Sequence, residues 1–87
     1  MNCLYQAPQS EIELTLSSIW SETLGIDKVG LHDDFFVLGG HSLAAARIVA
    51  RIARDFGLRM PLLAFFEAPT VADMAAAIKR GAWTKTV

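Results

Sequence analysis

Residues 42–56 read Ser42-Leu43-Ala44-Ala45-Ala46-Arg47-Ile48-Val49-Ala50-Arg51-Ile52-Ala53-Arg54-Asp55-Phe56, and Gly57 follows. Ala45, Ile48, Val49, Ile52 and Phe56 recur at helical spacing, whereas Arg47, Arg51, Arg54 and Asp55 mark a wet side, so the stretch is an amphipathic helix. A helix with one apolar stripe must bury it against other elements. Upstream, Ser10-Glu11-Ile12-Glu13 has the spacing of a capping box. Ile12, Leu16, Ile19, Trp20 and Leu24 then keep the helical period as far as Gly25, which predicts a first helix over residues 11–24. Downstream, Leu62 to Phe66 is apolar at nearly every position, lies between Met60-Pro61 and Ala68-Pro69, and is too short to be helical alone; it is read as a short third helix wedged between longer ones. Thr70-Val71-Ala72-Asp73 is a weaker cap, and Val71, Met74 and Ile78 form a narrow stripe before Gly81, giving a fourth helix over 71–80. No internal repeat and no alternating strand pattern of useful length is present. The elements predict a small all-α bundle of four helices.

Between the first two helices, residues 25–41 form a long connection containing Gly30, Gly39 and Gly40 together with Ile26, Val29, Leu31, Phe35, Phe36 and Leu38. A loop that long and that apolar must be ordered and lie against the core, with a short helical turn near Asp33. Trp20 and Phe56 are assigned to the core. The first nine residues, which include Pro8, carry no period and read as a linker or flexible arm. The tail 81–87, with Trp83 outside any stripe, reads as linker or docking peptide.

Composition narrows the function classes. The chain has 87 residues, one domain's worth, with 53% hydrophobic and 20% charged residues, which is too apolar for a disordered segment. A formal charge of −1 offers no overall field for holding nucleic acid. The single cysteine, Cys3, excludes an internal disulfide and fits a reducing compartment, so the cytoplasm is expected. No apolar run is long enough to span a bilayer, and the first residues resemble no secretory leader.

Chemistry concentrates at Leu38-Gly39-Gly40-His41-Ser42-Leu43, where two glycines and a histidine deliver a serine to the start of the best-defined helix. A phosphate on Ser42 would meet the positive end of that helix, and the glycines leave the hydroxyl open to another protein's active site. The plainer alternative makes Ser42 an N-cap or first-turn residue and the glycines a turn. A hydrolase elbow does not fit, because Ala44 stands where G-x-S-x-G requires glycine and no strand precedes it. His32, Asp33, Asp34 and His41 lack a metal-ligand spacing and read as loop residues, so no metal is expected. Arg47, Arg51 and Arg54 read first as a solvated face and second as charge complementary to a partner domain. Leu43 and Ala46, on one side of the helix beside Ser42, are candidate partner contacts, with core packing as the alternative.

The stretch Asp34-Phe35-Phe36-Val37-Leu38-Gly39-Gly40-His41-Ser42-Leu43 resembles the core motif of peptidyl carrier proteins, the thiolation domains of non-ribosomal peptide synthetases. Phe66-Glu67-Ala68-Pro69-Thr70-Val71 and the helix containing Ile19-Trp20 are similar to the same family, so the likeness runs from about Ser10 to Arg80. It implies a four-helix bundle of the acyl-carrier-protein type over residues 10–80, monomeric as an isolated domain. It further implies that Ser42 carries 4′-phosphopantetheine, flanked by Gly39, Gly40 and His41. The implied partners are a phosphopantetheinyl transferase and adenylation, condensation and thioesterase domains, with a ketosynthase in a hybrid assembly, but neither nucleic acid nor membrane. The implied role is a non-catalytic shuttle for aminoacyl, peptidyl or acyl thioesters. Carriers of fatty-acid and polyketide synthesis usually have Asp before the serine; His41 therefore favours the peptidyl branch. The alternatives are a carrier of a polyketide or hybrid synthase, or a helical interaction or DNA-binding module in which Ser42 only caps a helix.

Overall fold

In the computed structural model, which describes residues 8–85, the first helix begins where its capping box closes. Ser10 Oγ accepts from the Glu13 amide at 3.1 Å, and Glu13 Oε1 accepts from the amides of Ser10 at 3.1 Å and Gln9 at 2.9 Å. These bonds satisfy donors that a helix start leaves orphaned. Because they favour the ionised carboxylate, the Gln9 amide first and then the Ser10 amide hold the Glu13 pKa below its ordinary value. The helix, α1, runs Glu11–Leu24, and α2 runs Ser42–Phe56; both spans coincide with the expected ones. Residues 1–7 of the expected arm, Cys3 among them, and 86–87 of the tail lie outside the described residues.

Two other elements differ in detail. Successive three-residue turn bonds from the Ala64, Phe65 and Phe66 amides to the carbonyls of Pro61, Leu62 and Leu63 lead into α3, Ala64–Glu67, which lies one to two residues later than expected. Only Ala64 and Phe65 of its apolar run are buried; Leu62, Leu63 and Phe66 face outward. A segment so short has one inward side, so an apolar run does not imply burial of every residue in it. Helix α4 runs Val71–Lys79, capped by Thr70 Oγ1 on the Asp73 amide at 3.1 Å, and buries Val71, Met74, Ala75 and Ala77.

Leu58–Arg59, β1, and Thr84–Lys85, β2, form a two-residue antiparallel ladder, with Leu58 opposite Lys85 and Arg59 opposite Thr84. A pairing this short has no alternation to read in the sequence. It brings the tail back over the domain, where Trp83 packs, partly buried, against the core. Phe56, assigned to the core, is likewise only partly buried, since it ends α2 at the rim.

Leu16, Ile19 and Trp20 of α1, Ile48 and Ile52 of α2, Phe65 of α3 and Val71 and Met74 of α4 form the centre. Phe35 comes from the long connection and completes it, with its ring centroid 4.5 Å from Phe65 and 5.3 Å from Trp20. The Trp20 indole Nε1 is buried with no acceptor among the described residues.

Specific bonds hold the connection against this core. Ser17 Oγ donates to the Val29 carbonyl at 2.8 Å, the Phe35 amide to Pro69 O at 2.7 Å, and the Ala72 amide to Leu31 O at 2.9 Å. The loop is thereby fastened to α1 at one point and to the start of α4 at two. Val29 and Phe35 are fully buried, as the composition of the loop required, whereas Phe36 and Val37 are exposed by 41% and 84%.

Candidate functional site

Asp34 sets the geometry of the approach to α2. Its Oδ1 accepts from the amides of Phe36 at 2.8 Å and Val37 at 3.2 Å, its carbonyl accepts from the Leu38 amide at 3.0 Å, and the chain turns back toward the helix. Asp33, the residue before it, closes the preceding turn by reaching backward, its Oδ2 accepting from the Gly30 amide at 2.8 Å. Both carboxylates that a metal reading would have used are thus engaged by the backbone as turn caps.

The two glycines serve different needs. Gly39 has φ 99°, a conformation that side chains resist. Gly40 has ordinary backbone angles, but a β-carbon there would run into the Phe35 ring, and its amide donates to the Phe35 carbonyl at 2.9 Å. Phe35 therefore anchors the loop in the core through its ring and shapes the approach to the serine through its backbone.

His41, and not Ser42, is the N-cap of α2: its Nδ1 accepts from the Ala44 amide at 3.5 Å, a long contact. Ser42 is the first residue of the helix proper, exposed, and its hydroxyl makes no hydrogen bond among the described residues. That arrangement frees the side chain for chemistry, because the capping role belongs to its neighbour. No acidic residue lies in the first turn of α2, so the positive end of the helix dipole is not neutralised by the helix itself.

Beside Ser42 opens a small cavity of about 50 Å³ whose walls include Phe36, His41, Leu62, Phe65 and Phe66. Phe36 and Phe66 stack across it at 5.2 Å with an interplanar angle of 27°. Phe66 is 72% exposed, so the serine sits at the edge of an apolar surface built from the loop and the α3 region. Leu43, 58% exposed, and Ala46, also exposed, lie on α2 beyond it, and neither belongs to the core. Phe36 is the residue that sequence reasoning missed. In a Phe-Phe pair one ring goes inward and the other outward, and only the contact with Phe66 decides which.

These features are those of a small helical carrier: an exposed serine at a helix start, a glycine approach without side chains, and an exposed apolar apron beside it. The family model described as phosphopantetheine attachment site matches residues 15–78. The chain belongs to this phosphopantetheine-binding carrier family, whose prosthetic group is 4′-phosphopantetheine. It is 48% identical over 81 residues to tyrocidine synthase 3 of Brevibacillus parabrevis, covering 93% of this chain and 1% of that protein. Surfactin synthase subunit 3 of Bacillus subtilis is 49% identical over 74 residues, 85% of this chain and 6% of that subunit. The chain therefore spans a small fraction of these synthetases. A solved non-ribosomal PCP domain superposes with TM-score 0.75 at 38% identity, over 94% of this chain and 99% of that one. A peptidyl carrier protein solved in complex with the phosphopantetheine transferase Sfp and coenzyme A superposes with TM-score 0.84 at 34% identity, covering 87% of this chain and 99% of that one.

Among the described residues no helix is long and apolar enough to cross a membrane.

Proposed function

We propose that this chain is the peptidyl carrier domain of a non-ribosomal peptide synthetase, working in the cytoplasm, and that Ser42 Oγ is the attachment point of its phosphopantetheine. The observation that carries this reading is the division of labour at the start of α2, where His41 caps and the Ser42 hydroxyl stands exposed, with no hydrogen bond among the described residues. In the modification step a transferase brings coenzyme A. Ser42 Oγ bonds to the phosphorus that bears the pantetheine, the pyrophosphate P–O bond breaks, 3′,5′-ADP leaves, and the hydroxyl proton passes to a base on the transferase.

The residues of the chain then have distinct tasks. The first-turn amides of α2 face the new phosphodiester with favourable polarity. Gly39 and Gly40 keep the approach clear, and Asp34 holds the turn that presents it. When bound, the group supplies a terminal thiol on which an acyl chain rides as a thioester. His41 is given a capping task instead of a base's, with its Nδ1 turned to the Ala44 amide at 3.5 Å. The domain, residues 10–80 with Trp83 packed on it, thus contributes attachment and presentation, and catalysis belongs to its partners. Adenylation, condensation and thioesterase domains would use the Phe36, Leu62 and Phe66 surface together with Leu43 and Ala46, a patch small enough for each to leave again.

The test is intact mass after incubation with coenzyme A, magnesium and a broad-specificity transferase. The parent chain gains one phosphopantetheine and Ser42→Ala gains none. No gain on a sample shown to be folded by circular dichroism would remove Ser42 from its assigned role.

A further inference from the structure

We propose that the groove between α1 and α2 is a second docking face, fitted to an acidic helix of a protein partner whose carboxylates pair with Arg47 and Arg54. The inference rests on the carrier reading for its purpose, which is to bring such a partner alongside Ser42.

The groove, about 520 Å³, is lined by Glu22, Thr23, Arg47, Ala50, Arg51 and Arg54. Toward the serine it continues into a pocket of about 120 Å³ that shares Thr23 and Arg47 and is also lined by His41 and Leu43. The same histidine lines the apolar cavity on the other side of Ser42. His41 and Ser42 therefore separate two surfaces of different chemistry, one aromatic and one cationic.

The three arginines are not equally engaged. Arg51 is committed to the fold, with its Nη1 3.1 Å from Glu22 Oε1 across the helices and its Nε 3.8 Å from Asp55 Oδ2. Arg54 uses only Nε on Asp55 Oδ1, at 3.1 Å, and its side chain is 69% exposed. Arg47 is exposed and has no ion pair among the described residues. Three guanidinium groups against Glu22 and Asp55 leave this face cationic although the whole chain carries −1.

Shape agrees with charge. Ala50 is exposed and adds no tall side chain to the groove, and the Arg51 side chain between Arg47 and Arg54 is drawn across to Glu22 on α1, so another helix can come to ordinary packing distance, about 8–10 Å between axes. Arg47 and Arg54 are one heptad apart, about 10.5 Å along the axis, which is the separation of two carboxylates seven residues apart on a facing helix. Leu43, one turn before Arg47, supplies an apolar end contact. A polyanion such as nucleic acid fits less well, because the surplus is small and confined to one seam.

The experiment uses the ¹⁵N-labelled chain, both unmodified and carrying phosphopantetheine. It is titrated with a synthetic helical peptide holding two Glu seven residues apart and a Leu one turn away, and with the same peptide carrying Gln for Glu. Saturable amide shifts are expected at Thr23, Arg47, Ala50 and Arg54, with binding about 2- to 30-fold weaker for the Gln peptide, as two exposed ion pairs allow. The preference fades at about 0.3 M salt, where the screening length is roughly 6 Å. Arg47→Gln with Arg54→Gln abolishes it on a chain shown to be folded by circular dichroism, and Phe66→Ala leaves it intact. Equal binding of the two peptides, shifts centred on Phe36 and Phe66, or no saturable shift at low salt overturns the proposal. Tighter binding of 3′-phosphoadenosine 5′-phosphate than of the Glu peptide also overturns it, in favour of a nucleotide site. Mass analysis of the same samples reports on Ser42 separately, so failure of the carrier reading and failure of this face are distinguishable.

Discussion

Replacing Gly40 with alanine drives a methyl group into the Phe35 ring, and the ring has nowhere to go. Phe35 is 0% exposed, and its neighbours are close on three sides: Phe65 at 4.5 Å, Phe36 at 5.2 Å and Trp20 at 5.3 Å between centroids. Overpacking a filled core costs about 1–3 kcal/mol. For a domain of this size each kcal/mol moves the unfolding midpoint by about 4–8 °C, so Gly40→Ala should lower Tm by about 4–24 °C. Thermal unfolding followed by circular dichroism measures it. The mechanism is tested by a double-mutant cycle with Phe35→Leu, whose smaller side chain makes room: the double variant should recover about 0.5–3 kcal/mol relative to the sum of the single costs. Gly39→Ala is the contrast, since nothing lies near its β-position and its cost comes from φ 99°. That cost should add to Phe35→Leu within about 0.5 kcal/mol. A Gly40→Ala midpoint within about 2 °C of the parent, or strict additivity with Phe35→Leu, would refute a steric role for this glycine.

Other outcomes follow from the same geometry. Ser10→Ala removes one half of the capping box and should cost about 1 kcal/mol, read as a lower unfolding midpoint. Because the folded state lowers the Glu13 pKa, the contribution of Glu13 is present above the ordinary glutamate pKa and is lost as pH falls below it, through the lowered value. Glu13→Gln should flatten that part of the acid-stability profile, and an unchanged profile would place the acid sensitivity elsewhere. Phe66→Ala should slow thioester loading by an adenylation domain while moving Tm by no more than about 2 °C, since the ring is 72% exposed; a large loss of stability instead would return Phe66 to the core. Trp83→Ala should cost about 1–2 kcal/mol, a fraction of a full core truncation. No change in unfolding would mean that the tail contributes nothing to the fold.

The two long helices were legible because each carries its own boundary chemistry: Ser10 with Glu13 at one start, Gly25 and Gly57 at the ends, and an apolar stripe between. These are interactions within four residues of sequence, and tertiary context had nothing to overturn. The short third helix was legible as an element but not in its register, because four residues carry too little period to fix an orientation. Ser42 stood out through its position after two glycines. Its freedom from capping did not, since serine is a favoured cap by residue type and histidine is not, and only the backbone angles at the helix start give the cap to His41.

Sequence by itself determined the number and kind of the main helices, the ordered character of the 25–41 connection and the exceptional place of Ser42, because these depend on local periodicity, on capping and on the need to hide apolar side chains. Tertiary structure alone decided which ring of the Phe35-Phe36 pair enters the core and which stacks on Phe66. It also decided that Trp83 folds back onto the domain through a two-residue ladder, and that Arg51 is spent holding α1 to α2 while Arg47 is left facing solvent. Each of these depends on groups far apart along the chain meeting in space, and a one-dimensional pattern records which residues are apolar or charged but not which of them will meet.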